Sequence, residues 1–180
     1  MKRILIGCEE SGTITNAFRE AGFESYSCDT EPTRGNPDWH FQMDVMECIK
    51  TKGPWKLIIL HPPCTALSVS GNPTYAEGNP GYKDRLAAIE WTCRLWEAAI
   101  SACDYVALEN PVSVIFQWLT HDIWRPQVCY VQPYEHGHGE TKNTGFALHN
   151  LPPIYPTNNV PGRYQRIWKM GPSPTRKRDR

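Results

Sequence analysis

Two short stretches carry side chains able to do covalent chemistry together. The first, His61-Pro62-Pro63-Cys64-Thr65-Ala66-Leu67-Ser68, follows an apolar run, and its two prolines restrict the backbone just ahead of Cys64. A cysteine held in a polar rim becomes a nucleophile when nearby dipoles or charges lower its pKa. The second, Val106-Ala107-Leu108-Glu109-Asn110-Pro111, is an apolar run that delivers a carboxylate, Glu109. Cys64 and Glu109 are 45 positions apart, the room that one long loop and one crossover helix occupy. Taken singly, Cys64 reads as a packing residue and Glu109 as a cap for a helix that Pro111 opens. A thiolate and a carboxylate on one rim suit a pyrimidine ring instead. The sulfur adds to carbon 6, the carboxyl group holds or protonates ring nitrogen 3, and carbon 5 becomes nucleophilic toward an electrophilic methyl group. Such a reaction needs a donor such as S-adenosylmethionine.

These residues must be positioned by the elements around them. Residues 3–8 are a short Ile- and Leu-rich run that reads as a buried strand. Ser11 offers an N-cap for a helix with Ile14, Ala17 and Phe18 at helical spacing, ending near Gly22. Residues 24–29 predict a second strand, 42–50 a third short element and 55–60 a strongly apolar strand. The stretch 61–83 contains four prolines and three glycines, so it reads as a long loop of the kind that forms lids or binding surfaces. A helix is expected over about 84–102, with Leu86, Ile89, Cys93, Trp96 and Ile100 as its apolar stripe. Residues 104–109 predict another strand, with a short helix starting at Pro111. Residues 127–132 and 144–149 are later strand candidates, followed by an extended proline-rich connection.

Strands alternating with helices predict an α/β fold, a mostly parallel sheet with helices on both faces. Ligands of such sheets sit beyond the carboxyl ends of the strands. That edge should gather Glu9 to Gly12, Asp29, Asp44, the corner at Pro62, Pro63 and Cys64, and the Glu109-Asn110-Pro111 turn. The first turn, Gly7-Cys8-Glu9-Glu10-Ser11-Gly12, is neither a G-x-G-x-x-G fingerprint nor a lysine-bearing phosphate loop, which argues against a nucleoside triphosphatase. Asp29 stands where nucleotide-binding α/β folds keep a carboxylate for ribose hydroxyls.

Composition narrows the classes. A chain of 180 residues with 40% hydrophobic and 21% charged side chains fits one globular domain. Its longest apolar runs, around Leu57–Leu60 and 105–108, fall far short of the roughly 20 residues of a membrane span. Glu9 and Glu10 interrupt the apolar start too early for an export signal. Seven scattered cysteines without a Cys-x-x-Cys pair suit a reducing compartment, so a soluble, cytoplasmic protein is expected. Basic and acidic residues balance at nineteen each, yet residues 161–180 carry seven basic and one acidic side chain, net +6. The first 160 residues then carry −6, twelve basic against eighteen acidic. The chain divides on this basis into a body, 1–160, and a basic tail, 161–180, able to meet phosphates. His136-Gly137-His138-Gly139-Glu140 lacks the further ligands of a zinc site and reads as a turn, so no metal is expected. Trp91 and Trp96 are expected in the core; Trp124 and Trp168, near arginines, are candidates for base contact.

Pro63-Cys64-Thr65-Ala66-Leu67-Ser68-Val69-Ser70-Gly71 resembles the Pro-Cys-Gln-x-Phe-Ser-x-x-Gly nucleophile loop of the cytosine carbon-5 DNA methyltransferases, and Glu109-Asn110-Pro111 resembles their Glu-Asn-Val motif. The short phage-type members are the most similar, and the match runs from about Ile4 to Val114. The resemblance implies a Rossmann-like S-adenosylmethionine-dependent methyltransferase with Cys64 as nucleophile and Glu109 as ring-nitrogen partner. It implies cofactor contacts for Gly7, Glu9, Ser11, Gly12, Asp29 (ribose), Asp44 (adenine) and Pro62. Substrate contacts are implied for Pro63, Ser68, Asn110 and Lys142, the last in place of the family's Gln-x-Arg-x-Arg arginines. Glu9 replaces a family glycine, Thr65 a glutamine and Pro111 a valine, and there is no room for a separate target-recognition domain. The expected partner is DNA. RNA or a free pyrimidine nucleotide is the first alternative, and a non-catalytic nucleic-acid-binding protein that keeps the fold is the second.

Overall fold

The computed structural model describes residues 3–119 and 126–166. Strands β1 (Arg3–Gly7), β2 (Glu24–Asp29), β3 (His40–Gln42), β4 (Leu57–Leu60) and β5 (Val106–Pro111) are followed by β6 (Gln127–Val131) and β7 (Thr144–His149). They form one seven-stranded sheet in the order β3-β2-β1-β4-β5-β7-β6. The first five are parallel, and β7 is antiparallel to both β5 and β6. The chain winds outward through β1, β2 and β3, then returns to β4 beside β1, so the strand order reverses between β1 and β4. Ligands of open α/β sheets enter at such a reversal.

Helices α1 (Thr13–Glu20), α2 (Val45–Lys52), α3 (Asn72–Tyr75), α4 (Tyr82–Ala102) and α5 (Ile115–Leu119) complete the described elements. The pleat sorts them onto two faces. Leu5, Ile58 and Val106 are register neighbours and join one apolar core with α2, α4 and α5 through Cys48, Ile49, Leu95, Trp96, Ala99 and Phe116. Ile4 pairs with Ser25 on the opposite face, where the Ser25 hydroxyl donates to the Thr15 carbonyl of α1 at 2.8 Å. A sheet covered on both faces explains why β1 is apolar along its length rather than alternating. Among the described residues no helix is long and apolar enough to cross a membrane.

Several expectations shift by one position. In α1 the buried residue is Thr15, while Ala17 is exposed. In α4 the buried face is Arg85, Ile89, Thr92, Leu95, Trp96 and Ala99, and Leu86 is 41% exposed. Both helices bury polar side chains that are satisfied by backbone or buried acid, which apolar periodicity does not register. The third element, 42–50, resolves into the end of β3 and most of α2. Pro111 ends β5 instead of opening a helix; α5 starts at Ile115, whose amide donates to the Ser113 hydroxyl at 3.2 Å. The loop 61–83 holds a 3-10 turn (Val69–Gly71) and α3. Trp96 is buried and Trp91 packs against the core. Trp124, Trp168 and the tail beyond Arg166 lie outside the described residues.

Candidate active site

The first turn after β1 is built around a buried carboxylate. Cys8 takes a positive φ of 61° and Gly12 one of 70°, which bends the chain back toward α1. Glu9, 5% exposed, then accepts from the Ile14 amide at 2.6 Å, the Thr15 amide at 3.3 Å and the Thr15 hydroxyl at 2.6 Å. Ser11 therefore is not the helix N-cap. Gly12 occupies that position, Ser11 accepts from the Thr13 amide at 3.2 Å, and Glu9 satisfies the first-turn amides. A negative charge at a helix N-terminus is favourable, and here the protein supplies it. A Cβ on Gly12 would meet the Gly35 Cα at 3.0 Å, so the loop after β2 lies directly on this turn. Arg34 fastens that loop through two bonds to the Glu10 carboxylate at 2.6 and 2.9 Å.

The other two acids of this half also serve local backbone. Asp29 accepts from the Glu31 amide at 3.0 Å, and Asp44 caps α2 by accepting from the Glu47 amide at 3.0 Å. Both acids act on Cys8, whose thiol is pushed up to about 12 by burial first and then by the charges of Asp29 and Asp44. Cys8 is thus a thiol at neutral pH. The side-chain position of Gly7 faces the core, where a Cβ would meet Leu60 and Val45 at 2.8 Å, so a glycine is required there by packing.

The other half of the rim joins elements distant in sequence. Pro62 is buried, Pro63 exposed and Cys64 partly exposed. Asn110 donates from Nδ2 to the Pro62 carbonyl at 3.0 Å. The Val69 amide donates to Val112 and the Val114 amide to Leu67, each at 3.0 Å, and the Ser113 hydroxyl donates to the Leu67 carbonyl at 2.9 Å. The cysteine loop and the end of β5 are therefore one continuous seam. Arg85, 5% exposed, donates to the carbonyls of Ala66 at 2.7 Å and Ser68 at 3.2 Å and to Asn72 Oδ1 at 2.8 Å. All three contacts of this buried guanidinium hold the same loop. The Ser68 hydroxyl pairs with that of Ser70.

Glu109 sits between His61 and Lys142. His61 Nδ1 lies 3.1 Å from its Oε2, and Lys142 Nζ lies 3.9 Å from its Oε1. Burial pushes the Glu109 carboxyl up, but the His61 hydrogen bond and charge, followed by Lys142, outweigh it and leave the group below the usual carboxylate range. Lys142 is placed by the Gln132 side chain, which accepts from its amide at 3.0 Å. Nearby, Glu140 is 2% exposed and pairs with Arg166, while Tyr164 and Gly139 exchange a backbone bond of 2.8 Å. The His-Gly-His-Gly-Glu stretch thereby anchors residues 157–166, with His136 Nδ1 3.0 Å from the Thr157 hydroxyl. Among the described residues no group of three His, Cys, Asp or Glu side chains is placed to hold a metal ion.

All thirteen residues singled out in the sequence lie at or beside the carboxyl ends of β1 to β5 or on the approach to β7. Two participants were missed. His61 adjoins the Cys64 loop in sequence, which is the signal that points to it. Arg85 reads as a surface charge, and only its bonds to a loop up to 19 residues upstream reveal its place.

No protein-family model matches the sequence, and no curated protein matches it. Solved structures do. A DNA modification methyltransferase encoded within an E. coli prophage superposes with a TM-score of 0.55 at 12% identity over 96% of this chain and 56% of its own. The S. pombe Dnmt2 methyltransferase gives 0.54 at 14% identity over 94% and 53%. The Entamoeba histolytica methyltransferase EhMeth gives 0.55 at 10% identity over 89% and 58%. The chain spans a little over half the length of these structures. Sheet order, strand directions and these superpositions together establish an α/β, Rossmann-like fold, a mostly parallel sheet with helices on both faces, shared with these methyltransferase structures.

Proposed function

We propose that this chain methylates carbon 5 of cytosine in DNA, with S-adenosylmethionine as donor and a covalent Cys64 adduct as intermediate. The observation that carries the reading is the seam between the Cys64 loop and the Glu109 strand, closed by the Asn110–Pro62 bond of 3.0 Å. It ties the loop that carries the thiol to the strand that carries the carboxylate, on the β4–β5 side of the strand-order reversal. The description of the E. coli prophage protein as a DNA modification methyltransferase supports nucleic acid as the substrate.

The first half of the rim fits a cofactor that has a nucleoside and no phosphate. Glu9 fills the α1 amides that a phosphate would otherwise use, while Asp29 and Asp44 remain for hydroxyls and amines. Asp29 would hold the ribose and Asp44 the adenine, with Gly7, Glu9, Ser11, Gly12 and Pro62 forming the surrounding backbone. Bound there, S-adenosylmethionine supplies an electrophilic methyl group. Cys64 Sγ bonds to carbon 6, Glu109 neutralises ring nitrogen 3, and Lys142 steadies the other carboxylate oxygen. Carbon 5, once methylated, loses its proton to water, and expulsion of the Cys64 thiolate restores the ring. Pro63, Ser68 and Asn110 shape the loop against the base. A duplex substrate requires the base to be flipped, a cost of a few kcal/mol that the loop and the basic tail 161–180 help offset. Residues 1–160 are the catalytic body, operating in the cytoplasm.

The test is transfer of labelled methyl from S-adenosylmethionine to duplex DNA, single-stranded DNA, RNA and dCMP, with Cys64→Ala alongside. Label on DNA that is lost in the variant is expected. Full transfer by Cys64→Ala would overturn the covalent route, and label on RNA or dCMP alone would move the substrate. A steep salt dependence of binding identifies a polyanion.

A further inference from the structure

His61 has no role in the chemistry described so far, yet its ring is committed to Glu109. Its Nδ1 is 3.1 Å from Glu109 Oε2, and the two side chains are 19% and 17% exposed. Its Nε2 is buried without a hydrogen-bond partner among the described residues. A part-buried imidazole with one nitrogen on a carboxylate and the other unpaired calls for a reason beyond packing. Among the described residues, the titratable groups that pair with Glu109 are His61 from the end of β4 and Lys142 from the approach to β7.

The carboxylate between them is poorly suited to give a proton away. Below the usual range, Glu109 is ionised at neutral pH and accepts hydrogen bonds only. Neutralising ring nitrogen 3 of cytosine nevertheless calls for a proton. We propose that His61 is the positioning residue that governs this proton, so that the His61–Glu109 pair, and not Glu109 alone, protonates ring nitrogen 3; this rests on the cytosine methylation reading above.

The proton balance closes. With one proton more than its resting form, the pair carries that proton either on His61 Nε2, as an imidazolium beside a carboxylate, or on Glu109 Oε1, as a carboxylic acid whose Oε2 still accepts from His61 Nδ1–H. The imidazolium form leaves a buried Nε2–H without an acceptor, which favours the extra proton on Glu109 Oε1. As the sulfur–carbon 6 bond forms, Glu109 gives that proton to nitrogen 3, and His61 Nδ1–H continues to donate to the carboxylate left behind. When the thiolate is expelled, nitrogen 3 returns the proton to Glu109. The pair ends as it began, and the proton from carbon 5 leaves separately to water.

Two proton-linked groups titrate as a pair, so the pH–rate profile reads the dyad. The experiment measures methyl transfer to duplex DNA against pH for the unaltered chain, His61→Gln and Cys64→Ser, with S-adenosylmethionine binding measured by calorimetry. The unaltered chain is expected to lose about tenfold per pH unit above the pair's apparent pKa. His61→Gln should transfer about 100-fold more slowly at neutral pH, with its falling limb displaced downward by about one pH unit or more, and should still bind cofactor. A falling limb at the unchanged pH in His61→Gln, whatever the amplitude, overturns the inference and leaves the methylation reading standing. No transfer by the unaltered chain, or equal transfer by Cys64→Ser, overturns the reading and the inference together. Should His61→Gln fail to fold, nitrogen-15 histidine spectra of the unaltered chain and Glu109→Gln decide it: a His61 titration unmoved by the substitution overturns the dyad.

Discussion

The acids of the half of the rim after β1 to β3 and the acid of the half after β4 and β5 are held in opposite ways. Glu9, Asp29 and Asp44 each accept backbone amides from their own neighbourhood, two to six residues on. Glu109 instead is held by His61, 48 positions away, and by Lys142, both through side chains. Local capping fixes the shape of a turn. Side-chain pairing across elements ties distant segments to one carboxylate. On the function proposed above, the first half would receive the ligand and the second would change during the reaction.

The comparison is broken most directly at Glu109. Glu109→Gln keeps the shape and removes the charge, so methyl transfer should fall by about 10²–10⁴-fold while cofactor binding persists. The same substitution has a stability signature. Because the folded carboxyl titrates below its unfolded value, it contributes stability above the ordinary glutamate range, and that contribution is lost as pH falls through the folded pKa, below about pH 4. Acid unfolding followed by circular dichroism should show a shallower limb in Glu109→Gln.

Arg85→Met tests whether the half after β4 and β5 depends on long-range ties for its structure as well. It leaves the Ala66 and Ser68 carbonyls without their donor, for an expected loss of about 3 kcal/mol in urea unfolding. In the half after β1 to β3, Glu9→Gln retains one acceptor oxygen for the α1 amides and should cost only about 1–2 kcal/mol. A larger loss in Glu9→Gln than in Arg85→Met would reverse the contrast between local and distant ties.

The same contrast explains what could be read in advance. Six of the seven strands are legible because short apolar runs bounded by turn residues carry their own signal, as at Leu57–Leu60, whereas the three-residue β3, His40–Gln42, carries no such run and is not. The rim followed from parallel topology. What escaped were polar groups whose partners lie elsewhere in the chain. Thr15 and Arg85 sit on buried helix faces because a buried carboxylate and loop carbonyls satisfy them, and apolar periodicity therefore placed α1 and α4 one position off. Ser11 looked like the cap because its type is right. Glu9 takes the amides because the positive φ of Cys8 turns it inward. Pro111 looked like a helix start and is the last residue of β5, paired with Thr144 across a strand that local reading cannot join to it.

The Asn110–Pro62 bond also separates spacing in sequence from spacing in space. β4 and β5 are neighbours, and this clamp, the Leu67–Val114 seam and the Arg85 bonds to the loop set the separation of Cys64 and Glu109 without reference to Gly78. The length of the chain at that point is therefore a free variable. Gly78, exposed at φ +86° with nothing within 4 Å of its side-chain position, is where foreign sequence can be spliced in. A reporter or a recognition module inserted there would change what the protein touches while leaving intact the separation of Cys64 and Glu109.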